Sequence, residues 1–353
     1  MTNPSHVSPP PPERATGLAR IRDDLATAQR VVLTTHMNAD GDGAGSEVAL
    51  ASWLRRTGRD PVIVNPTPYP ELYEFLLDGL GLTVLSPADG GSGRDDSARA
   101  VRDADAVVVL DTAEAPRLGQ VMALIEGHRI LTIDHHPPVT PSLGEPSVRD
   151  ASAAATGELI YDLLRGAGEA PTALEARALY AAIATDTGSF RFGNTTSRVH
   201  EIVADLVARG VDPEAMSGRL YGGYTLSRLA LLQRALAGLR VHDELPVAWI
   251  RLTNADMREA DADRDDIEGL VEYARRLQGI EVAVLLRELP AGKTKISLRT
   301  SGDVDVAAVA RELGGGGHVK AAGAMIDLSL DEAEARVLSV LESALGAASE
   351  GGV

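Results

Sequence analysis

The stretch "THMNADGDGAG", residues 35–45, decides the fold class and marks the first candidate site. The apolar run "VVLT" precedes it and the helical pattern "SEVALASWLRR" follows it, so it lies at a strand-to-helix junction. His36, Asn38, Asp40 and Asp42 occupy every second position. Alternate side chains of an extended backbone share one face, and open α/β sheets build their sites past the carboxyl ends of strands. We therefore expect these four side chains to converge on a ligand.

Two other interpretations of this stretch explain less. Its three glycines, with Asp60 about 20 residues on, imitate a dinucleotide-binding fingerprint. Their spacing is G-x-G-x-G instead of G-x-G-x-x-G, and Asp40 and Asp42 would repel a pyrophosphate. A helix-capping Asx turn accounts for one aspartate, but it leaves His36 unexplained.

The first half of the chain alternates short apolar runs with helical patterns, which predicts a mostly parallel sheet covered by helices on both faces. Residues 85–103 are predicted to be a polar loop. The predicted strands are Val31–Thr35, Pro61–Asn65, Ala106–Leu110 and Ile130–Ile133, and the predicted helices include Gly45–Arg56, Pro116–Glu126, 151–165 and 172–185.

Four segments follow from the composition and patterning. We expect residues 1–16 to be a disordered Pro-rich tail and residues 17–197 to form the parallel-sheet α/β domain. Residues 198–240 are predicted to be a helical linker. Residues 241–345 are predicted to form a smaller α/β domain.

Charge and composition exclude several classes of protein. The chain has 353 residues, no cysteine and no apolar run long enough to span a membrane, so thiolate chemistry is excluded and a cytoplasmic location is expected. The formal charge of −17 disfavours binding of long duplex nucleic acid. The only lysines are Lys293, Lys295 and Lys320, which leaves room for a short anionic ligand at one basic spot.

Acids and histidines also end other predicted elements of the first domain. Asp111 follows a strand, Asp134, His135 and His136 follow another, and Asp186 ends a helix. Each alone has a structural explanation, but clustered carboxylates repel unless a cation neutralises them. Oxygen and imidazole ligands without sulfur suit Mn²⁺ best, with Mg²⁺ and Co²⁺ as alternatives. The set is large enough for two ions ~3.5–4 Å apart, which could activate a hydroxide for in-line attack on phosphorus.

In this order, "HMNADGDGAGS", "LDT", "IDHH" and "TDTGSF" resemble the successive motifs of the DHH phosphoesterases. Downstream, "SLRTSGDVDVAAVARELGGGGHVKAAG" resembles the DHH-associated C-terminal domain. The resemblance covers roughly residues 17 to 345. Gly43 departs from the family, which more often has Ala or Ser there, without loss of a ligand.

The resemblance implies roles for the residues that match the motifs. The first ion would be held by His36, Asp40 and Asp111, and the second by Asp42, Asp111, His135 and Asp186, with Asp111 bridging. His136 would contact the substrate phosphate, and Asp134 would orient a histidine ring. The far end of the substrate would be bound by Arg299, Gly315, Gly316, Gly317 and His318. A flexible linker is the alternative interpretation of the glycine run.

The domain plan is similar to that of the nanoRNase and pAp-phosphatase branch. This implies release of mononucleotides from short oligoribonucleotides and dephosphorylation of 3′-phosphoadenosine 5′-phosphate (pAp), with pApA and cyclic di-AMP as further candidate substrates. The alternatives are a manganese inorganic pyrophosphatase and a non-catalytic nucleotide-binding regulator. The sequence leaves monomer and homodimer open. Base stacking or core packing could explain each of Phe190, Phe192, Tyr221 and Tyr224.

Overall fold

The computed structural model describes residues 7–138 and 140–350, except for the side chains of 265, 318 and 346–350. The chain divides into two compact units, Met1–Gly222 and Gly223–Val353. The division falls inside the segment for which a helical linker is predicted, so helices of that segment belong to different units. The predicted domain bounds stay a prediction.

The first unit is built on a six-stranded sheet in which every pairing is parallel, in the order β3-β2-β1-β4-β5-β6. Four of these strands match predicted strands to within one residue at either end. The strands are β1 (Arg30–Thr34), β2 (Asp60–Val64), β3 (Thr83–Leu85), β4 (Ala106–Leu110), β5 (Ile130–Asp134) and β6 (Ser147–Arg149).

Helices cover both faces of this sheet, which confirms the predicted fold class. One apolar core joins one face to α1, α2, α5 and α6, and another joins the opposite face to α3 and α4. The helices are α1 (Pro12–Thr27), α2 (Gly41–Arg56), α3 (Gly93–Arg102), α4 (Gly119–Ile125), α5 (Thr156–Gly166), α6 (Ala173–Asp186), α7 (Ser197–Ala208) and α8 (Pro213–Tyr221), with 3₁₀ turns at Glu71–Leu76 and Ala115–Leu118.

Close packing of α2 on α6 requires a glycine at position 45. A Cβ atom there would lie 2.5 Å from the carbonyl oxygen of Ala178. Without it, the helix that carries Asp40 and Asp42 at its start lies flat against the helix that ends at Asp186.

The second unit is built on a mixed six-stranded sheet in the order β11-β12-β10-β9-β8-β7, where only β8 and β9 pair in parallel. One face packs against α12 and α13 and the other against α9 to α11. The strands are β7 (Arg240–Val241), β8 (Val247–Leu252), β9 (Val282–Leu289), β10 (Lys293–Thr300), β11 (Gly316–His318) and β12 (Ala321–Ile326). The helices are α9 (Leu226–Ala237), α10 (Asn254–Glu259), α11 (Val271–Arg275), α12 (Val306–Glu312) and α13 (Leu330–Glu350), with 3₁₀ turns at Asp265–Ile267 and Pro290–Gly292.

Two local predictions were wrong. Helix α1 begins at Pro12, inside the stretch predicted to be a disordered tail, because Arg14 is buried against Asp150 at 2.7 Å and Glu158 at 2.7 Å. Residues 1–6 of that stretch lie outside the described residues. The predicted polar loop contains helix α3, which exposes its charged side chains and buries only Ser97 and Val101. So little burial leaves a weak apolar signal in the sequence.

In the described part of the chain, no helix combines the length and the apolar character that crossing a membrane would take.

Candidate metal centre

The predicted metal ligands lie together at the carboxyl edge of the first sheet. The strand order reverses between β1 and β4, which is where open α/β sheets place their ligand crevice. Each ligand is delivered by the end of an element. His36 follows β1, Asp40 and Asp42 stand at the start of α2, Asp111 follows β4, His135 follows β5, and Asp186 ends α6.

Helix α2 begins four residues earlier than predicted, which changes how Asp40 and Asp42 reach the site. Asp40 is the N-cap, and its Oδ1 accepts hydrogen bonds from the backbone N–H of Asp42 at 3.0 Å and of Gly43 at 3.1 Å. Asp42 lies in the first turn of the helix. The prediction of an extended, alternating backbone was therefore wrong here, although the side chains do converge.

Asp111 lies between two groups of ligands. Its Oδ2 is 3.4 Å from Nε2 of His36, and its Oδ1 is 3.5 Å from Nε2 of His135. The backbone of Asp111 has φ 60°, a left-handed conformation that costs energy for a non-glycine residue and is common at functional sites. Asp111 therefore presents one carboxylate oxygen to each histidine.

The spacing of the donor atoms fits divalent ions. Two ligands ~2.1 Å from one ion lie roughly 3–4.2 Å apart, and Nε2 of His135 is 3.7 Å from Asp42 and 3.4 Å from Asp186. The sets of donor atoms within 4.8 Å of one another are His36, Asp40 and Asp111; Asp42, His135 and Asp186; and Asp111, His135 and His136.

The carboxylates of the site repel one another. Burial, followed by the charges of Asp111 and Asp186, raises the pKa of Asp42 well above its usual range. Burial also raises the pKa of Asp186 to about 6, although His135 opposes the shift. A divalent cation would relieve this repulsion.

The carboxylates around His36 favour its protonated form. Burial disfavours its charged form, but the carboxylates of Asp111 and Asp40, 3.4 and 3.7 Å from its Nε2, outweigh this and raise its pKa to about 10. Its Nδ1 is 2.9 Å from the carbonyl oxygen of Met37 and donates to it, which directs Nε2 at the two carboxylates. A metal ion bound there would replace the Nε2 proton.

Asp134 contacts both the ring and the backbone of His136. Its Oδ1 accepts from the ring Nδ1 at 2.7 Å and from the backbone N–H of His136 at 3.0 Å. Burial opposes both charges, yet the pair keeps the pKa of Asp134 below and that of His136 above the usual value.

Several residues that support the ligands were missed in the sequence. Asp42 accepts hydrogen bonds from the backbone N–H of Thr156 at 2.6 Å and of Gly157 at 2.8 Å, both in the first turn of α5. The hydroxyl of Thr156 donates to Asp111 at 3.0 Å. The sequence signal was "TGE" after an alanine run, which reads only as a helix start.

Glu47 was missed for a different reason. It is fully buried in α2, where burial raises its pKa to about 8, and its Oε2 accepts from Nδ2 of Asn65 at 2.8 Å. The Oδ1 of Asn65 accepts from the backbone N–H of Thr35 at 3.2 Å. Glu47 is therefore linked through Asn65 to Thr35, the residue that precedes His36. A glutamate in an amphipathic helical pattern does not reveal such a contact.

The predicted substrate-binding residues lie in the second unit. Arg299 in β10 is half-buried, with its Nε 3.6 Å from Glu272 and its Nη1 donating to the carbonyl oxygen of Leu298 at 2.9 Å. A Cβ atom on Gly315 would lie 2.1 Å from the carbonyl oxygen of Gly323, so this glycine is required for packing. Gly316 and Gly317 lie in β11 with His318, whose side chain is outside the described residues. The binding roles of these residues stay a prediction.

The aromatic candidates differ in exposure. Phe190 packs against the core of the first unit, and the Tyr221 hydroxyl donates to the carbonyl oxygen of Ala184 at 3.2 Å. The ring of Tyr224 lies under the guanidinium of Arg228 at 4.6 Å. Phe192 and Tyr224 are about equally exposed, at 49% and 50%.

Both units match known sequence families. Residues 30–183 match the DHH family, N-terminal domain, and residues 246–347 match the DHHA1 domain.

Several known proteins align with this chain over nearly its whole length. A bifunctional oligoribonuclease and PAP phosphatase NrnA from Thermus thermophilus is 33% identical over 326 residues, which are 89% of this chain and 90% of that protein. The crystal structure of an exopolyphosphatase-related protein from Bacteroides fragilis matches with a TM-score of 0.85 and 23% identity, covering 94% of this chain and 96% of that one. RecJ from Thermus thermophilus, in complex with Mn²⁺, matches with a TM-score of 0.50 and 14% identity, covering 95% of this chain and 55% of RecJ.

Proposed function

Because the chain belongs to the DHH family, carries a DHHA1 domain and is a hydrolase of phosphoric ester bonds, we propose that it is a nanoRNase and pAp phosphatase. It would release mononucleotides from short oligoribonucleotides and dephosphorylate pAp, with pApA and cyclic di-AMP as further substrates. The NrnA relative supports this assignment through its named activities and its matching length.

The observation that carries the proposal is the pair of ligand groups that share Asp111. His36 and Asp40 lie on one side of it, and Asp42, His135 and Asp186 lie on the other. These side chains would hold two divalent ions, Mn²⁺ before Mg²⁺ or Co²⁺. Such ions supply an activated water and neutralise charge on the reacting phosphate.

The side chains of this site would have distinct tasks. Asp111 would connect the two ligand groups and keep His36 and His135 a fixed distance apart. His136, with Nδ1 held by Asp134, would donate a hydrogen bond to a phosphate oxygen. The backbone N–H groups of Thr156 and Gly157 would keep the Asp42 carboxylate oriented.

Two alternative functions can be distinguished from this one by experiment. A manganese pyrophosphatase would use the same ligands, but the match to the DHHA1 domain over residues 246–347 favours nucleotide substrates. A non-catalytic regulator would have no need for two ligand groups around one carboxylate.

A substrate panel tests the proposal. Purified protein with Mn²⁺ should hydrolyse a pentaribonucleotide, pApA and pAp, and excess EDTA should abolish turnover until Mn²⁺ is restored. Cleavage of pyrophosphate alone would identify the pyrophosphatase, and binding without turnover would identify the regulator. Full turnover by metal-stripped protein in EDTA would contradict the metal mechanism.

A further inference from the structure

One face of strand β10 carries a row of polar side chains that the candidate metal centre does not use. The strand alternates strictly, with Thr294, Ile296, Leu298 and Thr300 buried and the residues between them half-buried. Lys293, Lys295, Ser297 and Arg299 therefore share the more open face. Because β10 is an interior strand of its sheet, its backbone is paired on both sides. These side chains therefore lie on a face of the sheet and not at its edge.

Two cations stand directly opposite each other on this face. Lys295 of β10 pairs with Arg287 of β9 in the antiparallel register. Like charges at directly opposed positions are destabilising.

These two cations have no acidic partner within the described residues. Neither Arg287 nor Lys295 forms an ion pair there, whereas Lys293 on the same strand is 2.6 Å from Asp327. The Nε atom of Arg287 is buried and makes no hydrogen bond within the described residues. A buried donor without a partner costs free energy, so the cluster is arranged for an anion.

We propose that Arg287 and Lys295 form a second anion site in the DHHA1 unit that binds a backbone phosphate of an oligonucleotide. The proposal rests on the proposed nanoRNase function for the identity of its ligand. It assigns to this chain a phosphate contact in addition to the one predicted for Arg299.

The surroundings favour an oligonucleotide over a free inorganic anion. Met325 of β12 pairs with Lys295 on the side away from Arg287 and is 60% exposed, so an adaptable apolar surface adjoins the cations. Lys295 and Arg299 are four residues apart on one face, which is about 13 Å at ~3.3 Å per residue. A nucleotide chain with several phosphates can reach both positions, whereas a single phosphate ion cannot.

The test is equilibrium binding in EDTA, which does not require turnover. A fluorescent pentaribonucleotide is titrated with full-length wild-type protein and with Arg287→Gln, Lys295→Gln and the matched control Lys293→Gln over a range of salt concentrations. Each phosphate contact to a single strand contributes a slope of about −0.7 in log K against log salt. We expect Arg287→Gln and Lys295→Gln each to make that slope shallower by about 0.7 and to weaken binding roughly tenfold at low salt. Lys293→Gln should bind as the wild type does.

Thermal unfolding separates a ligand site from a structural one. Removal of one of two opposed like charges should raise the melting temperature of ligand-free Lys295→Gln or leave it unchanged. A lower melting temperature, or an unchanged salt slope in both variants, would overturn the proposal. If inorganic phosphate displaces the pentamer and this competition depends on Arg287, the cluster is a site for small anions instead.

Failure of this proposal differs from failure of the nanoRNase function. An enzyme that hydrolyses the pentamer while its Arg287→Gln variant keeps the wild-type salt slope would lack the second anion site only. A protein that binds the pentamer through Arg287 in EDTA but hydrolyses no nucleotide with Mn²⁺ would lack the proposed activity only.

Discussion

At the scale of single residues, the site is defined by acidic side chains that repel one another. Asp42 and Asp111 are almost completely buried, and repulsion from Asp111 adds to burial in raising the pKa of Asp42. The raised pKa of His36 favours its protonated form, which would compensate part of this charge. Such an arrangement costs stability without a cation and favours metal binding.

Asp111 should matter more than Asp134, because Asp111 contacts both ligand groups and Asp134 acts through His136. We expect Asp111→Asn to lose bound metal and nearly all activity, and Asp134→Asn to lose activity by ~10–100-fold while it retains metal. Asparagine tolerates the left-handed backbone at position 111, so circular dichroism should show an unchanged fold. Metal content and kcat measured for the two variants decide the matter, and equal mild losses would show that the ligand assignment is wrong.

Glu47 predicts a pH dependence of stability. Its pKa is about 8 in the folded, metal-free protein against an ordinary value of 4.5. The unfolded chain therefore releases this proton at lower pH than the folded protein does, and the free energy of unfolding falls as the pH rises from 4.5 to 8. Glu47→Gln removes this loss, so urea unfolding in EDTA should show the variant more stable than the wild type by about 1–3 kcal/mol at pH 8, with a much smaller difference at pH 5.

Glu175 provides the matched control for that experiment. It is equally buried but is ion-paired with Arg56 at 2.7 Å. Glu175→Gln should therefore destabilise the protein at both pH values. If Glu47→Gln behaves in the same way, Glu47 is charged in the folded protein.

At the scale of elements, the site depends on where helices begin and end. The first turns of α2 and α5 and the last residue of α6 surround the ends of β1, β4 and β5. Helix N-termini present unpaired N–H groups that bind anions. In α5 these groups are used to hold the Asp42 carboxylate.

The start of α5 yields a prediction about metal affinity. Thr156→Val keeps the backbone N–H that binds Asp42 but removes the hydroxyl that donates to Asp111. We expect metal affinity to fall ~10-fold and Thr156→Ser to restore it, as measured by Mn²⁺ titration.

A helix cap outside the site serves as the control for Thr156. Thr172 caps α6 through Glu175, so Thr172→Ala should cost ~1 kcal/mol of stability without a change in metal affinity. An equal loss of affinity in both variants would mean that general helix stability, and not the Thr156 hydroxyl, supports the site.

At the scale of the whole molecule, acidic side chains outnumber basic ones by 51 to 34. The formal charge is −17, and all three lysines lie in the second unit. We expect a surface of this charge to repel long polyanions, whereas the proposed short nucleotide substrates would need only local cations. This charge distribution supports short substrates.

We propose that the first unit cleaves the substrate and that Arg299 in the second unit binds a remote phosphate. Loss of Arg299 should then impair the hydrolysis of nucleotides more than that of a small ester. Arg299→Ala should strongly lower kcat/KM for pApA and pAp and leave metal content intact, because binding of a remote phosphate positions the reacting one. Hydrolysis of bis-p-nitrophenyl phosphate, which has no remote phosphate, should fall far less.

Arg311 is the control for this comparison, since it is exposed and faces Asp305 at 3.5 Å. Arg311→Ala removes the same charge and should leave both reactions unchanged. If Arg299→Ala lowers the two reactions equally, Arg299 acts in the chemistry or in the fold.

The sequence by itself determined the α/β class and the identity of the candidate ligands. Apolar runs such as 106–110 were long enough to predict buried strands within one residue. Asp111 and the Asp-His-His run at 134–136 stood out because polar groups directly after such runs have to be used or satisfied. Both signals are local, so no coordinates were needed to see them.

Only the tertiary structure decided how the ligands converge. Helix α2 starts at Gly41 because Asp40 caps it and because glycines at its start allow close packing; a Cβ atom on Gly41 would lie 2.4 Å from Thr185. The hydrogen bonds from Thr156 to Asp42 and Asp111 join residues 114 and 45 positions apart. Contacts between residues so distant in the chain arise from packing of the sheet and helices, and no local pattern of residues records them.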